Sequence, residues 1–236
     1  STTTINPLDY SSGQNTTIEG GDVLIARDDI LLIGSSMRTT TQGIDFILSR
    51  LILQKDSKKR HIIVQELPDS PESFIHLDMV FTLLDIDKCM VFEPVILKPN
   101  RYQTVQITVQ NGKVLEIKTV ENLLTALKSL GMDLKPIICG GTKDQWVQER
   151  EQWHSGANFF AIGPGKVVGY ARNNYTIEEM NKNGFEIIRA KDALADKVNI
   201  NNFNRYVITI DGNELPRGGG GARCMTMPVK RKIVNW

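Results

Sequence analysis

The stretch DVLIARDDILLIGSS, at residues 22–36, contains two apolar runs that flank the polar pair Asp28 and Asp29. Two such runs separated by a short polar turn are typical of a β-hairpin. Apolar residues then recur at helical spacing in GIDFILSRLILQ, at 43–54, and this periodicity predicts a helix. The next apolar run, KRHIIVQEL at 59–67, predicts a strand. We therefore expect a hairpin, a helix and a further strand in this part of the chain.

The same order of elements recurs further along the chain. Asn111-Gly112 and Gly163-Pro164-Gly165 each separate two apolar runs, and both are turn sequences that favour hairpins. The predicted elements are hairpins at 103–119 and 157–173, strands at 87–94, 135–141 and 185–190, and helices at 119–132, 144–154 and 176–184. Alternating strands and helices indicate the α/β class, and the hairpins mean that the strands are not all parallel. The sequence contains neither a G-x-G-x-x-G motif nor a Walker A motif.

Two of the predicted helices carry residues that favour a helix start. Thr119 is a plausible N-cap for the helix at 119–132. In the helix at 176–184, Thr176 and Glu179 have the spacing of a capping box. We therefore expect these helices to begin at the two threonines.

Composition excludes several broad classes of protein. The 236 residues include 28 basic and 27 acidic side chains, and a formal charge of +1 provides no general attraction to nucleic acid or to an anionic membrane. No apolar run in the sequence is long enough to cross a bilayer. The three cysteines form no C-x-x-C pair, which argues against a zinc site or a redox dithiol. An odd, sparse cysteine count indicates a reducing compartment, and we expect a cytoplasmic protein.

Four consecutive glycines lead towards a cysteine in RGGGGARCM, at 217–225. Such a tract costs backbone entropy on folding and contributes no packing, so it indicates a close backbone approach or a moving segment. Taken alone, the glycine run would be a flexible loop. Its position just before Cys224, the most reactive side chain of the segment, instead suggests a functional site.

Two polar clusters could complete such a site. His76 and Asp78 lie in the apolar stretch FIHLDMVFTLLD, and an i, i+2 pair on an extended segment would place both side chains on one face. Glu19 and Asp22 flank paired glycines in IEGGDV. Alone, the first pair is more often a buried or solvated polar pair, and the second motif is more often a turn. Together with Cys224 they form the set of groups that nucleophilic catalysis requires.

The remaining histidines, His61 and His154, lie in polar sequence contexts and are expected on the surface. They are therefore not candidates for the site.

The segments EGGDV…LLIGSSMRTT, HLDMVFTLLD, GANFFAIGPGKVVGYARN and RGGGGARCMTMPVKRK resemble arginine deiminases of the guanidino-group-modifying superfamily. The resemblance runs in the same order from about residue 17 to the end of the chain. It implies a pentein-type α/β propeller, in which ββαβ modules surround a central site. The predicted order of hairpin, helix and strand suits this fold but does not by itself indicate a propeller.

The resemblance also implies an activity, the hydrolysis of L-arginine to L-citrulline and ammonia without a metal or an organic cofactor. In that reaction Cys224 would be the nucleophile on the guanidinium carbon, and His76 the general acid and base. Asp78 would bind guanidinium nitrogens. Glu19 would support the protonated state of the histidine, and Asp22 would support the same motif.

Four further positions follow from the same resemblance. Arg38 and Arg217 match arginines that bind the α-carboxylate of the substrate, although without the family match Arg38 would be a surface residue beside a turn. Gly219 and Gly220 would allow the segment that carries Cys224 to close over a small substrate. A pair of arginines favours a free amino acid over agmatine, which has no carboxylate.

The resemblance leaves a long upstream portion of the family without a counterpart. Residues 1–16 would be a polar lead-in, and 17–236 the C-terminal part of the catalytic domain. The upstream portion holds further propeller modules and a second guanidinium carboxylate, so this chain would supply a partial propeller. Uncovered strand edges would favour association with the missing half or a homo-oligomer. The alternatives are an inactive association module of the same fold and a deiminase that acts on a related guanidino substrate.

Overall fold

The structure is a computed structural model that describes residues 16–54, 56–232 and 234. Within these residues the chain divides into two compact units. The first unit extends to Asp78 and resumes at Leu97–Leu130, whereas the second contains Met79–Ile96 and continues from Gly131. The predicted lead-in at 1–16 lies almost entirely outside the described residues.

Strands and helices alternate along the described residues, which confirms the predicted mixed α/β class. The strands are β1 Val23–Arg27, β2 Ile30–Ser35, β3 Arg60–Glu66, β4 Phe81–Asp85, β5 Lys88–Val91, β6 Thr104–Gln110, β7 Lys113–Val120, β8 Lys135–Ile138, β9 Phe160–Gly163, β10 Lys166–Tyr170, β11 Glu186–Arg189 and β12 Tyr206–Ile210. The helices are α1 Thr41–Leu53, α2 Glu93–Ile96, α3 Leu123–Ser129, α4 Gln145–Trp153, α5 Asn174–Lys182 and α6 Ala190–Leu194. None of the helices in the described part of the chain has both the length and the apolar character needed to cross a bilayer.

The first unit is built on a five-stranded sheet with the order β1-β2-β3-β6-β7. β1 and β2 pair antiparallel, with Leu24 opposite Leu32, and the predicted hairpin with its turn at Asp28 and Asp29 is confirmed. β2 and β3 pair parallel, which requires a crossover, and α1 provides it. The hairpin, the helix and the parallel strand together form one ββαβ module.

Helix α1 begins at a side chain that satisfies its first free amides. The hydroxyl of Thr40 accepts a hydrogen bond of 3.2 Å from the amide of Gly43, as an N-cap does. Beneath the helix, branched aliphatic side chains of the sheet and of α1 form one buried cluster, which consists of Ile33, Ile44, Ile62, Ile107 and Val109. Burial of each such side chain stabilises the fold by about 1.5–3 kcal/mol.

The hairpin of β6 and β7 forms as the sequence predicts. Asn111 and Gly112 have φ angles of 52° and 68°, so both central residues of the turn adopt the left-handed conformation. Asn and Gly tolerate this conformation better than other residues, and such turns match the twist of the paired strands. The hairpin at β9 and β10 is confirmed in the same way, and Gly165 in its turn has a φ of 71°.

Helix α3 begins later than expected, and the prediction that Thr119 caps it is wrong. Thr119 lies in β7, which pairs with β6 as far as Val120. The cap is Asn122, whose side-chain oxygen accepts a hydrogen bond of 2.8 Å from the amide of Thr125. Because the β ladder holds the preceding residues extended, the helix can begin only at Leu123.

The second unit contains two smaller sheets. One has the order β4-β5-β8, and the other has the order β11-β12-β10-β9. Each combines an antiparallel hairpin with parallel neighbours, since β5 runs parallel to β8 and β12 runs parallel to both β10 and β11. Strands β4 and β12 were not among the predicted elements. The buried cluster of this unit consists of Leu84, Met90, Ile137, Cys139, Ala157, Phe159, Val167, Ile177, Met180, Phe185 and Val207.

The predicted capping box at the start of α5 is also wrong. The helix begins at Asn174, so Thr176 lies inside it rather than before it. The Thr176 amide and hydroxyl donate to the carboxylate of Glu151 at 2.8 and 2.7 Å, and the amide of Tyr175 donates to the same group at 3.0 Å. Glu151, a buried side chain of α4, therefore satisfies the first turn in place of Glu179.

His61 is a further correction, because the structure buries it in β3 instead of placing it on the surface. Its Nδ1 lies 3.2 Å from the hydroxyl of Thr108 on β6. Burial, followed by the charge of Lys59, lowers the pKa of His61. The polar sequence around it did not indicate this, because a strand alternates between a buried and an exposed face.

Candidate active site

A close histidine–carboxylate contact lies in the first unit. Nε2 of His76 is 2.6 Å from Oε2 of Glu19, and the two side chains are 16% and 19% exposed. Glu19 precedes the 3-10 helix Gly20–Asp22, and His76 lies between the 3-10 helices Glu72–Phe74 and Leu77–Met79. A protonated imidazole at this distance donates to the carboxylate in a charge-assisted hydrogen bond. The structure therefore places a hydrogen-bonding carboxylate directly at the ring of His76.

Arg38 lies on the other side of Glu19. Its Nη1 is 3.9 Å from Oε1 of Glu19, and its side chain is 49% exposed. The turn that carries Arg38 is attached to the same segment, since the hydroxyl of Thr39 accepts a hydrogen bond of 3.1 Å from the amide of Glu19. Within the turn, the hydroxyl of Ser36 accepts a hydrogen bond of 3.0 Å from the amide of Arg38. Arg38 is thus held beside the histidine–carboxylate contact with its guanidinium accessible.

Asp22 fixes the backbone next to His76. One carboxylate oxygen accepts a hydrogen bond of 2.8 Å from the amide of Leu77, and the other accepts one of 2.6 Å from the hydroxyl of Ser36. The residue is fully buried, and burial raises the pKa of Asp22 although the hydrogen bonds from Ser36 and Thr39 act in the opposite direction. Asp22 therefore connects the loop of His76 to the turn of Arg38, which is a positional role.

Glycines make this close packing possible. A Cβ atom at Gly21 would lie 2.6 Å from Cγ and Nδ1 of the His76 ring. A Cβ atom at Gly34 would overlap Oδ1 of Asp22 and lie 2.9 Å from Cβ of Leu77. Real Cβ atoms do not approach other atoms so closely, so these two positions require glycine. The sequence motifs did not single out either of them as a site residue, although both lie in the segments that carry the resemblance.

Asp78 is buried, with 2% of its surface exposed. It lies in the 3-10 helix Leu77–Met79, so the prediction that His76 and Asp78 share a face of an extended segment is wrong. A carboxylate in such surroundings interacts strongly with a cationic group that reaches it, because charges are weakly screened there.

Cys224 lies in the second unit and differs from the other two cysteines. It is exposed, whereas Cys89 and Cys139 are both fully buried. Burial raises the pKa of Cys139 to about 12 and that of Cys89 still further, so both remain protonated and unreactive. Cys224 is therefore the cysteine available for reaction with a soluble molecule.

The glycine run brings backbone against Cys224. Gly219 and Gly220 have φ angles of 79° and 97°, which other residues adopt only with strain. A Cβ atom at Gly220 would lie 2.7 Å from Cβ and 3.0 Å from Sγ of Cys224, but a Cβ atom at Gly219 would have no heavy atom within 4 Å. The run thus combines an unusual backbone path with a close contact at one position.

We expect the change Gly220→Ala to slow turnover more than Gly219→Ala does. Both changes strain a backbone with positive φ, but only the new methyl group at Gly220 would also press on the side chain of Cys224. Measuring kcat and the thermal unfolding midpoint of each variant would separate the effect of moving the Cys224 sulfur, which lowers kcat, from the effect of backbone strain, which lowers the midpoint. Equal losses of kcat in the two variants would contradict a role for the contact.

Arg217 is mostly exposed, and its side chain pairs with Glu214. Nη1 of Arg217 is 2.9 Å from Oε2 of Glu214, with the two side chains 81% and 71% exposed. An ion pair of this kind is readily exchanged for another partner, because it contributes little stability in solvent. A carboxylate ligand could therefore displace Glu214 at small cost.

The structure thus brings together one group of predicted residues in each unit. Glu19, Asp22, Arg38 and His76 are linked in the first unit, while Gly220 contacts Cys224 in the second. Among the described residues there is no group of three or more His, Cys, Asp or Glu side chains arranged to hold a metal ion.

Two solved structures with similar folds provide an independent comparison. ArgZ, an arginine dihydrolase from the ornithine-ammonia cycle in Cyanobacteria, matches 91% of this chain and 24% of its own, with a TM-score of 0.52 and 17% identity. An inosamine-phosphate amidinotransferase from Streptomyces griseus matches 91% of this chain and 47% of its own, with the same TM-score and identity. At such low identity these likenesses concern the fold alone, and they confirm the pentein class expected from the sequence.

Sequence relatives are more specific. An arginine deiminase of Mycoplasma capricolum subsp. capricolum is 36% identical over 216 residues, which are 92% of this chain and 47% of the relative. An arginine deiminase of Clostridium perfringens is 34% identical over 230 residues, which are 96% of this chain and 50% of the relative. The chain therefore spans about half the length of the curated relatives it matches. The family model described as arginine deiminase matches residues 3–231, and the chain belongs to the arginine deiminase family.

Proposed function

We propose that this chain supplies the C-terminal catalytic half of an enzyme that hydrolyses L-arginine to L-citrulline and ammonia. Residues 17–236 would be the C-terminal part of its catalytic domain. The observation that carries the proposal is the 2.6 Å contact of His76 with Glu19 in a member of this family, and it supports the role of His76 as the acid and base. The exposed thiol of Cys224 provides the nucleophile.

The first half of the proposed reaction forms a covalent intermediate. The guanidinium group is planar and resonance-stabilised, so it needs both orientation and a strong nucleophile. Asp78 accepts guanidinium N–H groups and orients the plane of the group. The thiolate of Cys224 then forms a C–S bond to the guanidinium carbon and gives a tetrahedral adduct. His76 donates a proton to the leaving nitrogen, the C–N bond breaks, and ammonia departs from an S-alkyl thiouronium.

The second half hydrolyses that intermediate. Neutral His76 removes a proton from a water molecule, and the oxygen adds to the thiouronium carbon. The C–S bond then breaks, citrulline is released, and the thiolate of Cys224 is restored. Glu19 supports the imidazolium form of His76 in both steps, and Asp22 holds the adjacent amide of Leu77 in place. One histidine thus acts first as an acid and then as a base.

The substrate is proposed to be the free amino acid, because two arginines are available for its α-carboxylate. Arg38 lies beside Glu19 with an accessible guanidinium, and the exposed partner of Arg217 can be displaced. A guanidinium binds a carboxylate through paired N–H donors, which gives orientation as well as affinity.

We expect the change Arg38→Met to raise KM for arginine by about 10- to 100-fold, as for a lost hydrogen bond between charged groups. Turnover of agmatine, which has no carboxylate, should be unchanged by the same substitution. Arg101→Met is the matched control, because Arg101 is an exposed arginine of the same unit that stacks on Tyr102. Equal effects on arginine and agmatine would refute carboxylate binding by Arg38.

The upstream part of the longer relatives is proposed to complete a propeller and to supply a second carboxylate for the guanidinium. Without it, a cationic substrate would be under-paired, and removal of one partner from a buried charge pair costs about 3–5 kcal/mol. The chain would also associate with that half or with further copies of itself through uncovered apolar surface.

We therefore expect this chain to form citrulline slowly alone and rapidly together with the upstream half of an arginine deiminase. Citrulline would be measured at equal concentrations of the chain, with the upstream half alone as the control for background activity. If the combined sample turned over neither arginine nor any other guanidine of a substrate panel, the chain would be a non-catalytic association module. Activity confined to another guanidine in a substrate panel would identify a related deiminase.

A further inference from the structure

The turn that carries Cys224 is attached to the hairpin of β9 and β10 by two buried side chains. Asn158 lies two residues before β9, and Tyr170 is the last residue of β10. They are 1% and 2% exposed. The sequence motifs did not mark either of them as a functional residue, although both fall within the segment GANFFAIGPGKVVGYARN.

Asn158 holds the backbone immediately before Cys224. Its Oδ1 accepts a hydrogen bond of 3.0 Å from the amide of Arg223. The same side chain packs directly on the glycine run, since a Cβ atom at Gly221 would lie 2.5 Å from Oδ1 and 2.6 Å from Cβ of Asn158. The contact therefore needs glycine at position 221 and a side-chain acceptor at position 158.

Tyr170 holds the other side of the glycine run. Its hydroxyl donates to the carbonyl oxygen of Gly220 at 3.3 Å and lies 3.7 Å from the sulfur of Met225. The ring is packed against Gly212, where a Cβ atom would lie 2.6 Å from Cδ1 of the tyrosine. Burial and then the charge of Cys224 raise the pKa of Tyr170, which agrees with the proximity of the thiol.

We propose that Asn158 and Tyr170 form a clasp that positions Cys224 for attack on the substrate. The clasp holds the backbone at two points that precede Cys224, the carbonyl of Gly220 and the amide of Arg223. One of its side chains comes from the end of β10 and the other from just before β9. A rigid support limits the positions that the sulfur can reach, and reaction rates depend steeply on such positions. Both are positioning residues, because they act through the backbone of the turn. The inference rests on the proposed function only where turnover is concerned.

The clasp can be tested first without substrate, by hydrogen exchange of amides in the whole chain. We expect Asn158→Ala to speed exchange of the Arg223 amide by about tenfold, because a lost hydrogen bond shifts local opening by roughly that factor. Asn158→Asp keeps the acceptor oxygen and should restore protection. Amides of β9 and β10 serve as the internal reference, and unchanged exchange at Arg223 would overturn the proposal.

Kinetics then test whether the clasp positions the nucleophile. With the upstream half present, Asn158→Ala is expected to lower kcat by about 10²-fold with little change in KM, as for a small misplacement of a reacting group. Tyr170→Phe, which removes one hydroxyl, should lower kcat less. Tyr206→Phe is the matched control, since Tyr206 is a buried tyrosine on the adjacent strand β12.

The two measurements separate the possible failures. Faster exchange at Arg223 with an unchanged kcat would overturn the positioning role of Asn158. A wild-type sample that forms no citrulline would refute the proposed function, and hydrogen exchange at Arg223 would then support or overturn the clasp by itself. Faster exchange in Asn158→Ala, restored protection in Asn158→Asp and a selective loss of kcat would together support it.

Discussion

Replacing Cys224 with serine is expected to reduce citrulline formation by about 10⁴-fold or more, because removal of the nucleophile stops covalent catalysis. A serine hydroxyl stays protonated at neutral pH and is a far weaker nucleophile than a thiolate. The residue is exposed, so the substitution should leave the thermal unfolding midpoint almost unchanged. Citrulline would be assayed with the upstream half present.

Chemical modification provides the control for this variant. Iodoacetamide should alkylate one thiol per folded chain, since Cys89 and Cys139 are fully buried. Alkylation should abolish turnover in the wild type, and arginine should slow the alkylation by occupying the site. Acid quenching during turnover should also trap a peptide containing Cys224 that carries arginine minus ammonia. Substantial turnover by Cys224→Ser, or by the alkylated chain, would contradict the assignment of the nucleophile.

Replacing Gly21 with alanine is expected to lower kcat by about 10²-fold, because a small displacement of a reacting group lowers the rate by about that factor. The new methyl group would lie 2.6 Å from the His76 ring, so the ring must move and its contact with Glu19 must change. The loss would be expected in kcat rather than in KM, since the change acts on the His76 ring and its contact with Glu19.

Gly20 offers a matched control in the neighbouring position. A Cβ atom at Gly20 would have no heavy atom within 4 Å, so Gly20→Ala should keep most of the activity. Both variants should be compared for kcat, KM and thermal unfolding. A large loss in Gly20→Ala, or full activity in Gly21→Ala, would show that the close packing on His76 is not required.

Much of the fold could be predicted from local patterns. Hairpins were correctly predicted at Asp28-Asp29 and at Asn111-Gly112, because turn residues and alternating apolar runs act over a few neighbouring positions. Helix starts were less predictable. Glu151 caps α5 from a different helix, so the local signal of Thr176 did not decide where α5 begins. Likewise, the β6–β7 pairing extends as far as Val120, so α3 begins only after Thr119.

In the candidate site, too, some residues could be recognised from the sequence and others only from the structure. Cys224, His76 and Glu19 were recognised because their residue types are chemically distinctive and match family motifs. Gly34 and Asn158 were not, since a glycine or an asparagine in a loop has many ordinary roles. Their importance depends on which atoms lie within about 3 Å of them, the range of hydrogen bonds and close contacts, and such contacts join residues far apart in the chain.

By itself, the sequence determined the mixed α/β class, the hairpins and the family, because apolar periodicity, turn residues and ordered motifs are properties of short segments. Only the tertiary structure decided that Glu19 contacts His76, that His61 is buried, and that Asn158 holds the turn of Cys224. The contacting residues, such as Glu19 with His76 and Asn158 with Arg223, are separated by tens of positions in the chain. Their contacts form only when whole sheets pack, so no pattern within one segment could reveal them.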